Sequence, residues 1–316
     1  MKLVFMGTPA GAAFLLKKIF DSKKHEILAV VTTIDKPSGR GQKMAKSEVC
    51  ETAEELGLPV YKIQTLKDER ILSAIKKLSP DIIVVVAFGK ILPKEFLEIP
   101  KYFCLNVHFS LLPKYRGASP IQSALLNGDK ETGITIIKMN EKLDAGEIIS
   151  QKKVPIFERE NSQQLSERLF IESSSFLLQT IDDIENGNIK LHPQDDSFAS
   201  YCATIKKEDG FLDIKSIGKE KFINFVRAFT PWPGVYLKYK DKRVKILSAE
   251  ISLLDNKDAI EGEIIAIDKD MGIIIKTKDG SVLIREIQPE NSKPMSAISF
   301  ANGYRVKAKD IFTNVK

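Results

Sequence analysis

The sequence predicts a two-part fold: a mostly parallel α/β sheet with helices on both faces, followed by a smaller antiparallel barrel. Three observations predict it. Short apolar runs alternate with helical patterns through the first half. Beyond about residue 190 the text changes to short alternating strands spaced about ten residues apart. The length of 316 residues also exceeds the size at which a single hydrophobic core stops growing.

Taken in order, LVFM reads as a strand and GAAFLLKKIF as a helix. ILAVV and SEVCETAEELG repeat the pair, and KDERILSAIKKL leads into the strand DIIVVVA. Runs this apolar suit strands covered on both faces, as in a Rossmann-like sheet. Ser47 is placed to cap the helix that Gly57 ends, and Ser119, Pro120 and Gly128 fall at the N-cap, N1 and C′ positions around PIQSALLN. CLNVH is a strand at 104–108, GITIIKM at 133–139 and EIISQKKVPI at 147–156, ahead of a long helical pattern from Ser162 to Gly187. Further on, IGKEKFINFVRAF is a basic amphipathic helix and TPWPG a rigid turn. The segments VYLKY, RVKILSA, EIIAID, GIIIKT and VLIREIQ are short strands that an OB-like barrel would close. The expected domains are 1–189 and 208–316, joined by a linker over 190–207.

Composition narrows the function classes. Hydrophobic residues at 43% and charged residues at 28% belong to a folded, water-soluble protein. MKLVFMGTPA is too short in apolar residues for a secretory signal, and no run approaches the ~20 apolar residues of a spanning helix, so a cytoplasmic protein with no membrane contact is expected. Cys50, Cys104 and Cys202 are odd in number and widely spaced, which suits neither a disulfide framework nor a zinc site; no metal is expected. The net charge of +6 is uneven, with 21 Lys/Arg against 16 Asp/Glu from Lys206 onward. That excess fits a solvated lysine-rich surface and a polyanion partner equally well.

GTPAG lacks GxGxxG spacing, GRGQKMAKS is not a P-loop, and no GxSxG occurs, so dinucleotide, nucleotide-phosphate and serine-hydrolase chemistry have no support. Asn106 and His108 are two apart on a strand and leave the same face. A carboxamide can hold a developing oxyanion and an imidazole can exchange a proton near neutral pH, the pair needed to attack a carbonyl without a covalent intermediate. Asp144, in the tight loop LDAG, could return to that strand end and orient the imidazole. Each residue alone also has a plain structural reading.

NVHFSLLPKYRGASPIQSA, TGITIIKM and LDAGEI together resemble the folate-dependent formyltransferase family. GTP near the start, DKPSGRGQK at 35–43, VVVAFGKILP at 84–93 and RAFTPWPG at 227–234 extend the resemblance over essentially the whole chain. It implies that Asn106, His108 and Asp144 form the catalytic group. Ser110, Leu111, Leu112 and Pro113, with Phe88, Gly89, Ile91 and Leu92, would contact the folate, and Arg40 and Lys43 the tRNA. It further implies 10-formyltetrahydrofolate as formyl donor and the α-amine of methionine on initiator tRNA as acceptor, with no obligate protein partner. Two departures stand out: Phe109, where relatives usually have a small residue, and PAGAAF, which lacks an acidic-aromatic pair. Transfer to an amino-sugar nucleotide or to glycinamide ribonucleotide, noncatalytic RNA binding and folate hydrolysis are the alternatives. The basic C-terminal third disfavours the glycinamide enzyme.

Overall fold

The computed structural model describes residues 1–38 and 43–315. By contact density the chain forms two compact units. The first comprises 1–120, 131–155 and 166–203; the second comprises 121–130, 156–165 and 204–316.

In the first unit the strands are β1 Lys2–Gly7, β2 Glu26–Thr33, β3 Lys36–Ser38, β4 Lys43–Ala45, β5 Val60–Ile63, β6 Ile82–Val86, β7 Cys104–His108, β8 Arg116–Gly117, β9 Glu131–Lys138, β10 Glu147–Pro155 and β11 Tyr201–Cys202. Its helices are α1 Ala10–Ser22, α2 Glu48–Glu55, α3 Glu69–Leu78, α4 Lys94–Leu97 and all but the first turn of α6 Ser162–Glu185, whereas α5 Pro120–Leu126 falls, after Pro120, in the second unit. The main sheet has seven strands in the order β10-β9-β7-β6-β1-β2-β5. β5, β2, β1, β6 and β7 are parallel, while β9 runs antiparallel to both of its neighbours, β7 and the edge strand β10. Chain order therefore reverses between β1 and β6, the switch point beside which open α/β sheets bind ligands.

Side chains alternate about the sheet, and both faces are covered: Val4 and Met6 join a core with Val31, Ile83, Val85, Phe88 and Phe96, while Leu3 and Phe5 are fully buried on the other side. Ser47 caps α2 by accepting from the Cys50 N–H at 3.1 Å, as its sequence position predicts. Short elements were illegible in the sequence: β5, the four-residue α4, and the antiparallel pair of β3 with β4, which begin at Lys36 and Lys43. His192 bridges to Ile148, and Tyr201 and Cys202 pair with Arg116 and Gly117.

The second unit contains α7 Lys219–Phe229, α8 Ala297–Tyr304 and the strands β12 Val235–Tyr239, β13 Lys242–Ile251, β14 Ile264–Asp268, β15 Gly272–Thr277, β16 Gly280–Pro289, β17 Met295–Ser296 and β18 Phe312–Asn314. Its antiparallel sheet runs β14-β15-β16-β13-β12-β18. The sheet curls until its ends meet, with Ile264 N donating to Asp310 O and Phe312 N to Gly262 O, each at 2.8 Å. Closure removes the exposed edges. Leu237, Val244, Ile246, Ile273, Ile284 and Phe312 fill the interior. α8, which the sequence reading missed, packs Phe300 against Tyr239. Among the described residues no helix is long and apolar enough to cross a membrane.

Candidate active site

β7 places Asn106 opposite Val85 of β6 and Ile137 of β9, and His108 opposite Thr135. The loop after β9 leaves the sheet beside the start of β7, where Met139 N donates to Cys104 O at 2.8 Å. It then folds back far enough for Asp144 to meet both polar residues of β7. Asn106 Nδ2 donates to Asp144 Oδ1 at 3.1 Å, and His108 Nδ1 lies 3.5 Å from Asp144 Oδ2. The backbone N–H of Gly117 donates to the same Oδ2 at 2.8 Å. Three side chains from two segments remote in sequence thus share one point.

The carboxylate is set by backbone as much as by side chains. Gly117 has φ +125°, and a Cβ there would lie 2.1 Å from the Cys202 carbonyl oxygen, so glycine is required where β8 meets β11. Asp144 itself is left-handed, with φ 48°, a conformation costing a non-glycine residue about 1–2 kcal/mol. Ala87, just after β6, and Tyr115, in the loop after β7, are left-handed too. Such backbone persists where its surroundings over-determine it, and it gathers at functional sites.

His108 is buried, and its Nε2 lies 2.9 Å from the Tyr115 carbonyl oxygen. A carbonyl only accepts, so the proton of the neutral ring is assigned to Nε2, which leaves the Nδ1 lone pair toward Asp144. Burial holds the His108 pKa below its ordinary value, opposed by the Asp144 charge and by the Tyr115 carbonyl. The ring is therefore neutral at neutral pH, and a proton arriving at Nδ1 finds a carboxylate waiting. Asn106 is half-buried, and among the described residues its side chain makes only the bond to Asp144. One amide hydrogen is left for a ligand.

The other residues singled out from the sequence separate into buried supports and open positions. Ser110 is fully buried, with Oγ donating to Lys114 O at 2.6 Å, and Leu112 is buried with its N–H donating to Thr135 Oγ1 at 3.3 Å. Leu111 and Pro113 are half-buried. Phe88 and Leu92 lie in the core, whereas Gly89 and Ile91 are exposed at the end of β6. Arg40 lies outside the described residues, and Lys43 is described only through its backbone in β4. Phe109 is buried against Phe170 of α6, edge to face at 4.4 Å between centroids, on the opposite face from Asn106 and His108.

A cleft of about 530 Å³ adjoins the loop that carries Asp144, lined by Leu97, Met139, Asn140, Ala145 and Gln194 among others. The three polar residues are not among those lining it. Among the described residues His25, Asp182 and Glu185 form one group with metal-ligand atoms within 4.8 Å of one another. It lies at the start of β2, at the opposite end of the parallel strands from His108, the last residue of β7. There Lys24 Nζ already pairs with Asp182 at 2.6 Å and the Met1 amine with Glu185 at 3.0 Å.

Sequence reasoning missed several supports. Thr135 carried a signal, a polar residue in an apolar strand directly across from His108. Gln151, which donates to Leu112 O and to Thr135 Oγ1, carried none. Arg116 is 2% exposed, and the sequence offers no reason to bury it. Gln194, its partner, belongs to a segment with no evident pattern.

A formyl transferase family model matches residues 1–181, and the formyl transferase C-terminal domain model matches 204–305. The methionyl-tRNA formyltransferase of Sulfurihydrogenibium sp. is 44% identical over 313 residues, covering 99% of this chain and 100% of that protein. That of Caldicellulosiruptor saccharolyticus is 42% identical over 316 residues, with coverage of 99% and 100%. Among solved structures, HypX from Aquifex aeolicus in complex with tetrahydrofolic acid aligns with a TM-score of 0.65 at 18% identity, over 98% of this chain and 48% of that one. The sugar 3N-formyl transferase WlaRD aligns with a TM-score of 0.64 at 19% identity, over 93% and 99%. Similarity this distant speaks to the fold alone.

Proposed function

The chain belongs to the formyl transferase family, and from that membership we propose that it transfers the formyl group of 10-formyltetrahydrofolate to the α-amino group of methionine on initiator tRNA. The observation that carries the reading is the Asn106–Asp144–His108 cluster, set in a chain whose similarity to the tRNA-acting relatives runs through both units. The fold of the sugar-acting relatives is shared, but at far lower identity. The excess of basic residues from Lys206 onward adds a term those small acceptors do not need.

In this reading the neutral amine attacks the formyl carbon and a tetrahedral oxyanion forms. The free amide hydrogen of Asn106 donates to that oxyanion, while its other hydrogen stays on Asp144 and keeps the head group aimed. The amine nitrogen must lose a proton and the departing folate nitrogen must gain one. The neutral imidazole of His108 accepts that proton at Nδ1, between the ring and Asp144, and the carboxylate stabilises the imidazolium until the proton is passed on. Tyr115 O and Gly117 N–H fix the ring and the carboxylate while this happens. No covalent enzyme intermediate is required. The exposed Ile91 and Gly89 at the switch point, with the cleft beside Asp144, support binding of a flat heterocycle there.

The test mixes purified protein and 10-formyltetrahydrofolate with methionine-charged initiator or elongator tRNA. Formylmethionine on the initiator species, with a KM for tRNA that rises steeply with salt, is the expected result. Formylation of an amino-sugar nucleotide but of neither tRNA would overturn it.

A further inference from the structure

We infer that Gln194 is a positioning residue for the transfer, a clamp that locks the Asp144 loop onto the Arg116–Gly117 strand. The inference rests on the reading of Asp144 as a member of the reacting group. The Nε2 of Gln194 donates to the Asp144 carbonyl oxygen at 2.8 Å and to the Gly146 carbonyl oxygen at 2.7 Å. Its Oε1 accepts from Arg116 Nε at 3.0 Å and from Nη2 at 2.8 Å. The adjoining Gly117 donates its N–H to the Asp144 carboxylate. A ring of bonds therefore closes: carboxylate to Gly117, along the chain to Arg116, through its guanidinium to Gln194, and back to the Asp144 carbonyl. One planar amide grips the backbone of Asp144 while the strand next to it grips the side chain.

The chemistry of the residue types follows from the ring. Two carbonyls need donors and a guanidinium needs an acceptor, and a carboxamide is the side-chain head that presents both on one plane. The guanidinium is itself over-determined: Arg116 Nη2 also bonds Asp196 Oδ1 at 2.8 Å, and Nη1 lies 3.4 Å from the Tyr201 hydroxyl. His192, two residues before Gln194, exchanges backbone bonds with Ile148 at 2.8 and 2.9 Å, so the clamp is mounted on β10. Asp144 is held in a left-handed conformation, and a loop restrained only by its own backbone would leave it readily. Gln194 lines the cleft, but its head group is committed to the protein. It acts through Asp144 and makes no contact with the reacting atoms.

Gln194→Glu keeps an acceptor for Arg116 and replaces the donor nitrogen with one oxygen that faces both carbonyls. Gln194→Met keeps the length and removes every hydrogen bond. In the full chain both variants are expected to lower kcat on the order of 10–100-fold, the penalty of a small misplacement at a reacting centre, with KM for folate and for charged tRNA little changed. The thermal midpoint of Gln194→Glu should fall less than that of Gln194→Met, because the bond to Arg116 survives in the former alone. A kcat within about twofold of the parent in Gln194→Glu, where a merely structural bond to Arg116 would be preserved, overturns the clamp. Asp144→Asn, run beside them, separates the two ideas: full turnover in that variant removes Asp144 from the reaction, whereas its loss together with an unaffected Gln194→Glu removes the clamp alone.

Discussion

Two buried histidines beside carboxylates lie at opposite ends of the parallel strands of one sheet, and only one of them has the surroundings that the proposed transfer needs. His25, at the start of β2, has Nε2 3.4 Å from Asp182 and Nδ1 3.9 Å from Glu185. Burial lowers its pKa, the Met1 ammonium lowers it further, and the two carboxylates oppose them. Burial lowers His108 in the same direction, against one carboxylate. Residue type, burial and titration direction therefore do not distinguish the pair; neighbours do. His25 faces acids that cations already neutralise, while His108 shares the Asp144 carboxylate with an amide that has a hydrogen to spare, beside left-handed backbone.

Substitution of the two histidines gives the largest contrast. His108→Ala is expected to lower kcat by roughly 10²–10⁴-fold, the usual reach of general acid–base help, while His25→Ala leaves kcat close to that of the parent. Equal losses in steady-state assays would break the distinction. Asn106→Ala should cost ~10²–10³-fold in kcat with little change in KM for tRNA, as expected for a donor that acts on the oxyanion. Near-parental turnover of the folded variant would take Asn106 out of the site.

The smallest effect sharpens the comparison through stability. His25 has a folded pKa below the ordinary 6.5, so the unfolded chain takes up the proton first, and stability falls as pH drops from that value toward the folded pKa. His25→Gln should flatten this acid-side loss, read from urea midpoints at pH 7 and pH 5, without altering turnover at pH 7. An unchanged slope would mean that His25 does not titrate differently in the two states.

Much of the fold was legible because its pattern is local. The apolar runs of β1, β2, β6 and β7, the Ser47 cap and the long α6 follow from periodicity and capping chemistry alone. The two-residue β8 and β11 were not, because a strand that short exists only when its partner arrives. The site divides in the same way: Asn106 and His108 share a face by strand alternation, while the tight loop LDAG allows its aspartate to return to β7 but does not require it.

By itself the sequence determined the two-part plan, the polar pair on one strand and a family resemblance strong enough to name the chemistry. Periodicity, residue type and spacing act over a few residues, and all three can be read along the chain. The tertiary structure alone decided which tautomer His108 adopts, that Gly117 holds the carboxylate, and that Arg116 and Gln194 close the ring behind it. The last of these joins residues 78 apart in sequence, Arg116 and Gln194, and hydrogen-bond partners are chosen only once packing has brought donor and acceptor within 3 Å or so.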